Sequence, residues 1–351
     1  MSTISQTIIN WYEQNKRGLP WRESRNPYII WISEIILQQT RVNQGISYYY
    51  RFIEKFPDIY SLASATTDEV LKMWQGLGYY SRARNLHFTA QQIVKKYNGK
   101  FPDEYDELIS LKGVGEYTAA AIASMAFNKP EPVLDGNVFR VLSRLYGISE
   151  STQKSSGKKI FMQKARELIE PKSPGLFNQA IMEFGALHCT PKNPGCSNCD
   201  LQFYCYAFQN NLVNELPVKK QKIKQRNRFL HYLYIQYNNN TYIEQRKQND
   251  IWKLLYQFPL IETDKLYNID EVISNSKWRQ LFNGTKTIIK SISEEKIHLL
   301  THQKLFARFY HIEIEQPNHF LIENYQQIPN KELDKLSVPK LIENYLTEIN
   351  N

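Results

Sequence analysis

Long apolar runs, internal repeats and widely spread cysteines are all missing from this 351-residue sequence. No apolar run approaches the roughly 20 residues that a membrane-spanning helix needs. The N-terminal stretch MSTISQTIINWYEQNKRG is polar with amphipathic helical spacing, which is not the pattern of a signal peptide. All 4 cysteines lie between Cys189 and Cys205, and without a secretory signal a disulfide pair is not expected. We therefore expect a cytoplasmic protein with no membrane partner.

The overall composition is typical of a folded protein with a polyanionic partner. Hydrophobic residues make up 42% of the chain, which at this length is enough to build two or three domains with cores of their own. The formal net charge of +9 favours a negatively charged partner such as nucleic acid.

The stretch 111–127, LKGVGEYTAAAIASMAF, predicts a tight hairpin followed by a helix from Tyr117 to Phe127. Gly113 and Gly115 can take positive φ without a Cβ penalty, which would turn the hairpin amides outward at a helix N-terminus. Such amides form an anion site, and a nucleic-acid phosphate is the anion we expect. Asp135 opens the next helical pattern. The alternative is a glycine-rich turn with Asp135 serving only as an N-cap.

Two apolar helical patterns each carry one acidic residue. The stretch 28–39, YIIWISEIILQQ, is apolar almost all round and contains Glu34, and the stretch 178–187, NQAIMEFGAL, contains Glu183. Burial raises the pKa of a carboxyl group toward the range in which it works as a general acid. The alternative for both residues is a structural carboxylate bonded to the backbone or to an arginine. Gln39 lies where the first helix ends.

The turn 75–82, QGLGYYSR, combines glycines, an apolar residue, aromatics and an arginine. Leu77 and Tyr79 at its tip suit a wedge that enters a stack of bases. The alternative is an ordinary turn between two helices.

The four cysteines follow one another with six, two and five residues between them. Thiolates this close together indicate a metal centre. Zinc sites made of four cysteines are common, but they usually pair two Cys-x-x-Cys knuckles, and this stretch has one. The residues alone leave zinc and an iron–sulfur cluster open.

The pattern changes after residue 214. Residues 215–228, ELPVKKQKIKQRNR, predict a solvated basic linker. Beyond it, 229–237 and 241–246 predict a β-hairpin, 269–282 a helix, 285–292 and 304–314 strands, and Pro339 the start of a final helix. Residues 229–351 are therefore expected to form an α+β domain.

Taken together, SEIILQQT (33–40), GLGYYSRARNL (76–86), the 111–127 stretch, LDGNVFRVLSRL (134–145) and the cysteine loop resemble the adenine DNA glycosylases of the MutY family. The resemblance covers most of residues 1–215. It implies a mostly α N-terminal region followed by a Nudix-like α+β domain. The implied division is a six-helix domain with a helix-hairpin-helix motif at 27–132, an iron–sulfur domain at 1–26 with 133–214, the linker 215–228, and a lesion-recognition domain at 229–351.

The resemblance also implies an activity, partners and a cofactor. The expected enzyme is a monomer of the cytoplasm, associated with the nucleoid. It would remove adenine opposite 8-oxoguanine or guanine in double-stranded DNA. One 4Fe–4S cluster would be held by Cys189, Cys196, Cys199 and Cys205. No complete hydrolytic Nudix box is found in residues 229–351, so we expect no nucleotide pyrophosphatase activity.

The family pattern implies a role for individual residues. Glu34 would donate a proton to adenine, Asp135 would stabilise the sugar cation, and Tyr117 and Asn137 would position the reacting groups. The remaining positions would bind substrate: Trp21, Arg22 and Glu183 at the adenine pocket, Gln39, Leu77 and Tyr79 in the gap left by the base, Gly113 and Gly115 on the backbone, and Leu300, Thr301 and His302 near 8-oxoguanine. The last three stand where the family usually shows Phe-Ser-His.

Tyr117 separates two reaction types. Bifunctional relatives, which also cut the DNA backbone, carry a lysine two residues after the second hairpin glycine, and that lysine forms a Schiff base with the sugar. A phenol cannot form an imine, so the sequence favours a monofunctional hydrolase. The alternatives are an endonuclease-III-like glycosylase with lyase activity and a non-catalytic iron–sulfur protein that binds DNA.

Overall fold

The computed structural model describes residues 2–218 and 225–350 and divides the chain into two compact units. The first unit comprises Met1–Ala65 and Asn85–Gln221, and the second comprises Thr66–Arg84 and Lys222–Asn351. The segment Thr66–Arg84, which the sequence analysis placed inside 27–132, thus groups with the C-terminal part. The proposed division of the helical part into two domains remains a prediction.

The described part of the chain up to residue 209 is helical. Its α-helices are α1 (Thr3–Asn15), α2 (Pro27–Leu37), α3 (Val42–Lys55), α4 (Ile59–Ser64), α5 (Thr67–Met73), α6 (Ser81–Tyr97), α7 (Tyr105–Ile109), α8 (Glu116–Phe127), α9 (Gly136–Tyr146), α10 (Ser155–Leu168), α11 (Pro174–Leu187) and α12 (Tyr206–Gln209). Helix α5 belongs to the second unit, and α6 begins there and continues into the first.

One hydrophobic core joins helices that are far apart in sequence. Helices α1, α9, α10 and α11 bury apolar residues in it that repeat at helical spacing. The members with almost no exposed surface include Ile8, Tyr12, Val138, Val141, Leu142, Phe161, Phe177, Ala180 and Ile181. This core holds α1 against α11 and α9 against α11.

Small residues let α8 pack closely against its neighbours. Ala119, Ala121 and Ala123 have no exposed surface. At Gly175 in α11, a Cβ atom would lie 2.8 Å from the Cα atom of Met125, so only glycine permits this approach of two backbones. Helix α2 packs against α8 as well. The alanine-rich pattern therefore marks the centre of the helical unit.

The second unit is built on a mixed eight-stranded sheet within the described residues. Its strands are β1 (Arg226–Tyr237), β2 (Asn240–Gln245), β3 (Tyr256–Gln257), β4 (Leu260–Thr263), β5 (Thr287–Ile292), β6 (Lys296–Leu299), β7 (Gln303–Ile314) and β8 (Gln326–Pro329). The central strands β1 and β7 are parallel, and the other pairings are antiparallel. Besides α5 and the start of α6, the described residues of this unit form the α-helices α13 (Ile269–Ile273), α14 (Ser276–Phe282), α15 (His319–Asn324) and α16 (Lys340–Asn350).

Most of the predicted α+β pattern is confirmed, with one wrong helix. The β1–β2 hairpin, strands β5 and β7, and the helix after Pro339 are present. The predicted helix 269–282 is two helices, because the side chain of Asn275 accepts a hydrogen bond from the Lys277 amide and caps α14. A short polar side chain that bonds the local backbone in this way competes with continuation of a helix.

The predicted basic linker is wrong at its C-terminal end. Residues 219–224 lie outside the described residues, but Arg226–Arg228 belong to β1. Arg228 is buried and bonds the carboxylate of Glu262 through two nitrogens, both at 2.7 Å, and that of Asp250 at 2.9 Å. A charge run read from sequence cannot show which of its members has acidic partners in the fold.

Within residues 2–218 and 225–350, none of the helices has the length and apolar character needed to cross a bilayer.

Candidate active site

A buried acidic side chain, Glu34, lies in the middle of α2. Only 7% of its surface is exposed. The hydroxyl group of Tyr117, from α8, donates a 2.5 Å hydrogen bond to its Oε2 atom. Burial raises the pKa of Glu34 to about 7, although the hydrogen bond from Tyr117 opposes the rise. A carboxyl group with this pKa is partly protonated at neutral pH and can donate its proton.

Asp135 caps the N-terminus of α9 with both of its carboxylate oxygens. Its Oδ1 accepts a hydrogen bond from the Val138 amide and its Oδ2 accepts one from the Asn137 side chain, both at 2.7 Å. Burial raises the pKa of Asp135, while these hydrogen bonds lower it in part. The carboxylate is thus held in one orientation by donors that favour its charged form. The capping role anticipated from sequence is present, and it leaves Asp135 beside Glu34.

The two carboxyl groups share one electrostatic environment around Tyr117. After burial and the Tyr117 bond, the charge of Asp135 is the next influence on the pKa of Glu34, and it raises that pKa. Burial, followed by the charges of Glu34 and Asp135, raises the pKa of Tyr117 itself. The Tyr117 hydroxyl also lies 3.3 Å from the Sδ atom of Met182 in α11. Four helices therefore contribute to one buried acidic site.

Glu183 is ion-paired and is not available as an acid. Arg17 and Arg22 each bind its carboxylate through two nitrogens, at 2.5–2.9 Å. Burial alone would raise the pKa of Glu183, but the two arginines outweigh burial and lower it to about 2. The charge of Arg22 also lowers the pKa of Glu34, so the arginine acts on the same site. The structural alternative considered for a buried glutamate thus describes Glu183 and not Glu34.

Two further residues, Trp21 of the predicted adenine pocket and Gln39 of the predicted gap, differ in exposure. Trp21 is buried, with its ring edge-on to Tyr49 at a centroid distance of 5.1 Å. Gln39 is exposed beyond the end of α2, with a φ of 58°. Their roles toward a substrate remain predictions.

The glycine hairpin before α8 uses its two glycines differently. Gly113 has a φ of +80°, and a Cβ atom there would lie 2.6 Å from the Cβ atom of Asn85. Gly115 has a φ of −93°, so the expectation of positive φ was wrong for this residue. Gly115 precedes α8 without a capping side-chain bond, and the space beside it is open. The helix N-terminus is therefore accessible to an anion.

Arg140 connects the acidic site with the cysteine loop. Its Nη2 atom donates to the Asn137 side chain at 2.9 Å and to the Gly185 carbonyl at 2.7 Å. Its Nε atom donates to the Cys189 carbonyl at 2.7 Å. Asn137 is thereby fixed from both ends, between Arg140 and Asp135. Sequence reasoning missed this role, because a helical arginine carries no signal of which carbonyl groups it will meet.

The four cysteines line one small apolar cavity, together with Arg144 and His188. All four are free thiols, and Arg144 approaches the Sγ atom of Cys189 at 3.4 Å. In the described residues, no three His, Cys, Asp or Glu side chains converge as ligands of a single metal ion. The shared cavity brings the four thiols to one place in the fold.

The second unit brings the wedge turn to the predicted recognition loop. The hydroxyl groups of Tyr79 and Thr301 are hydrogen-bonded at 2.5 Å. Leu77, Leu300 and His302 line the same cavity, which has a volume of about 560 Å³. Tyr79 is 46% exposed, whereas Leu77 is buried. Two segments selected from sequence for different reasons thus form one surface.

Comparison with known proteins agrees with this arrangement. A family model of the HhH-GPD superfamily base excision DNA repair proteins matches residues 32–171, and a NUDIX domain model matches residues 231–348. The chain is 39% identical over 304 residues to the adenine DNA glycosylase of Buchnera aphidicola subsp. Baizongia pistaciae, which covers 86% of this chain and 83% of the relative.

This chain belongs to the adenine DNA glycosylase family.

This member of the adenine DNA glycosylase family was also compared with a human relative and with a solved structure. It is 43% identical over 212 residues to the human adenine DNA glycosylase, which covers 58% of this chain and 39% of that protein. A solved structure of a thermostable thymine-DNA glycosylase superposes with a TM-score of 0.54 at 28% identity, and the match covers 59% of this chain and 95% of that one. The predicted order of a helical glycosylase part and a Nudix-like part is confirmed.

The two hairpin glycines of this adenine DNA glycosylase family member differ in backbone conformation, and this difference predicts different effects on stability. Gly113→Ala should lower the free energy of unfolding of the helical unit by at least about 1–2 kcal/mol, because alanine is strained at positive φ and its Cβ would clash with Asn85. Gly115→Ala is the matched control, because its φ and surroundings accept a methyl group. Urea unfolding followed by tryptophan fluorescence measures both. Equal destabilisation by the two changes would contradict the assignment.

Proposed function

We propose that the chain is a monofunctional DNA N-glycosylase that hydrolyses the bond between adenine and deoxyribose where adenine is mispaired with 8-oxoguanine or guanine. The product would be an abasic site. The observation that carries the proposal is the buried Glu34, with its pKa near 7, beside the oriented carboxylate of Asp135. Family membership supports adenine as the base.

The adenine has to leave the helix before either carboxyl group can act on it. Extruding a base costs a few kcal/mol of lost stacking, less where the base is already mispaired. Gln39, Leu77 and Tyr79 would occupy the gap, and the exposed positions of Gln39 and Tyr79 support this role. Trp21 and Arg22 would line the pocket that receives the base. Arg22 is held for this by its ion pair with Glu183.

The DNA backbone would be bound at the start of α8. The accessible helix N-terminus beyond Gly115 supports a phosphate contact, and the positive φ of Gly113 sets the direction of the hairpin. A duplex with one mispair has no symmetry that calls for a second subunit. We therefore propose a monomer that works at the nucleoid in the cytoplasm.

Glu34 is the proposed general acid. Adenine is a poor leaving group as an anion, so N7 has to be protonated as the bond to the sugar breaks. The Oε2 atom of Glu34 accepts the Tyr117 hydroxyl, which leaves Oε1 as the oxygen that carries the proton. Desolvation keeps this proton on the carboxyl group near neutral pH, where an exposed glutamate would have lost it.

Asp135 is the proposed carboxylate that stabilises the positive charge on the sugar. Departure of the base leaves an oxocarbenium-like sugar, which a nearby carboxylate stabilises or attacks. The donors Val138 and Asn137 lower the pKa of Asp135 against the effect of burial and prevent the carboxylate from rotating away. Asn137 is held in turn by Arg140. In the proposed division of work, as in glycoside hydrolysis, Glu34 donates a proton and Asp135 acts as the charged group.

Tyr117 supports hydrolysis over lyase chemistry. It stands two residues after the second hairpin glycine, where the family resemblance implies a lysine in bifunctional relatives, and its phenol is bonded to Glu34. A phenol has no amine with which to form an imine, so no covalent route to strand cleavage is available from this side chain.

The cysteine cavity is the proposed site of one 4Fe–4S cluster, with Cys189, Cys196, Cys199 and Cys205 as its ligands. Such a cluster would supply a redox-capable centre that crosslinks the loop. The cavity that the four cysteines line brings the thiols to one place, and their spacing, with a single Cys-x-x-Cys pair, supports a cluster over zinc. Arg140 and Arg144 hold the same loop through the Cys189 and Thr190 carbonyls.

Leu300, Thr301 and His302 are the proposed contacts to 8-oxoguanine. They line the cavity beside Tyr79, and the Thr301 hydroxyl keeps a hydrogen-bonding group at the centre of the loop.

The first prediction for catalysis concerns the two acids. Glu34→Gln and Asp135→Asn should each lower adenine release by at least about 100-fold, because one removes the proton donor and the other removes the negative charge. Duplex binding should change only a few-fold. Single-turnover release and gel-shift titration measure the two quantities. Full adenine release by either variant would contradict the role assigned to that residue, and no release by the wild-type protein would favour a non-catalytic DNA-binding protein.

The pH dependence of the wild-type rate belongs to the same prediction. Only protonated Glu34 donates, so release should fall about tenfold per pH unit above about pH 7. On the acid side the rate should fall as Asp135 becomes protonated. Because burial raises the pKa of Asp135 above its ordinary value of 3.8, this fall should begin at a higher pH than for an exposed aspartate. A flat profile between pH 5 and 9 would exclude Glu34 as the acid.

The reaction type is tested on a duplex with one adenine opposite 8-oxoguanine. Adenine should be released, and strand cleavage should appear only after alkali treatment, because Tyr117 cannot form an imine. Borohydride should trap no covalent adduct. A trapped adduct would instead support an endonuclease-III-like lyase.

The identity of the metal group has its own test. The purified protein should be brown and should contain about four iron atoms and four acid-labile sulfides, because four thiolates hold one 4Fe–4S cluster. Cys199→Ser should reduce the bound iron, whereas Ser197→Ala, inside the same loop, should not. A colourless protein with one zinc ion would overturn the assignment.

A further inference from the structure

A polar stripe on helix α5 and the turn that follows it is bonded to the C-terminal part of the second unit. Asp68 and Lys72 are four residues apart on one side of α5, and Gln75 follows in the turn after the helix, where it accepts a 3.4 Å hydrogen bond from Lys72. Val70, on the opposite side of α5, is buried. Each of the three side chains in the stripe has a specific hydrogen-bond partner in the C-terminal part of the unit.

The N-terminal end of the stripe is bonded to β2 and β3. The carboxylate of Asp68 accepts a hydrogen bond from the Tyr256 hydroxyl at 3.1 Å and one from the Gln245 side chain at 3.3 Å. Tyr256 and Gln245 are themselves paired across the β2–β3 ladder. The contact therefore rests on the sheet and not on a loop.

The C-terminal end of the stripe is bonded to the chain just before α16. The Nζ atom of Lys72 donates to the Leu336 carbonyl at 3.0 Å. The side-chain oxygen of Gln75 accepts from the Val338 amide at 3.2 Å. Downstream of the turn, Arg84 donates to the Lys253 carbonyl at 2.9 Å. The segment 68–84 is thus attached at both ends.

The turn between these attachments is braced internally. Arg82 donates to the Leu77 and Gly78 carbonyls at 3.3 and 3.2 Å. Its guanidinium group also lies over the rings of Trp74 and Tyr79, at 5.3 and 5.6 Å. A displacement of α5 would therefore be transmitted to Tyr79, whose hydroxyl bonds Thr301.

We propose that the stripe Asp68–Lys72–Gln75 is a positioning element for discrimination of the base opposite adenine. It holds Tyr79 at the recognition loop, so that Tyr79 and Thr301 meet that base as a pair. Loss of a hydrogen bond from the stripe would misalign Tyr79 and Thr301. It would not change the residues of the acidic site, which belong to the first unit. This inference rests on the proposed function, because it names residues that set its preference for 8-oxoguanine over guanine.

Two variants with separate partners test the stripe. Tyr256→Phe removes the donor to Asp68 and keeps the ring, and Lys72→Met keeps the length of the side chain and removes the donor to Leu336. Single-turnover rates and dissociation constants are measured on duplexes with adenine opposite 8-oxoguanine and opposite guanine. Each variant should lower the preference for 8-oxoguanine about 2- to 10-fold, the range expected for one hydrogen bond. The rate on the guanine duplex should stay within about twofold of wild type.

Tyr234→Phe is the matched control. Its hydroxyl accepts a hydrogen bond from Gln236 on the same strand and has no bond to the 68–84 segment among the described contacts. The same chemical change should therefore leave the preference unaltered. A general loss of stability would lower the active fraction on both duplexes equally, and active-site titration corrects for it.

The outcomes separate the two proposals. A wild-type protein that releases adenine from neither duplex contradicts the proposed function. A wild-type protein that releases adenine while both variants keep its preference, or lose activity equally on both duplexes, overturns the role of the stripe. A wild-type enzyme without any preference overturns it as well. If one variant does not fold, the other decides the question.

Discussion

The burial of an unpaired carboxyl group is the constraint on which the proposed chemistry depends. Glu34 lies among the apolar residues of α2, and no arginine in the described part of the chain forms an ion pair with it as Arg17 and Arg22 do with Glu183. Removing a carboxylate from water without a partner is costly, and the group reduces that cost by holding its proton. The pKa near 7 is therefore a consequence of where α2 packs. A positively charged group paired with Glu34 would lower its pKa and remove the acid.

The comparison with two other buried ionic groups makes this point clearer. Glu183 and Arg228 are buried too, yet each is matched by bidentate partners and stays charged. Their pairing orients neighbouring elements, and breaking it would leave an uncompensated charge. In Glu34 the only direct bond described comes from a neutral phenol. The difference between a structural acid and a reactive one in this protein lies in the partner and not in the degree of burial.

Helix α9 links the reactive site with the cysteine loop through neighbouring turns. Asp135 caps its first turn, Asn137 and Arg140 follow on the same side, and Arg144 lies one turn further on. Each arginine donates to a carbonyl group of the loop, and Arg140 also donates back along α9 to the Gly136 carbonyl. The orientation of Asp135 is consequently tied to the position of Cys189. A loop that is firmly held thus serves the acidic site even at a distance from the reacting bond.

The sequence by itself determined the classes of element and the residues that carry the chemistry. Helical spacing located α2, α8 and α11, strand alternation located the β1–β2 hairpin, and the spacing of the four cysteines marked a common site, because these are local patterns. Only the tertiary structure decided that Glu183 is ion-paired while Glu34 is not, that Gly113 and not Gly115 needs positive φ, and that Arg228 is buried in a strand. It also decided that Arg140 joins Asn137 to the cysteine loop and that Tyr79 meets Thr301. These outcomes depend on which distant groups become neighbours, and protonation, pairing and backbone strain are properties of neighbours that a one-dimensional pattern does not specify.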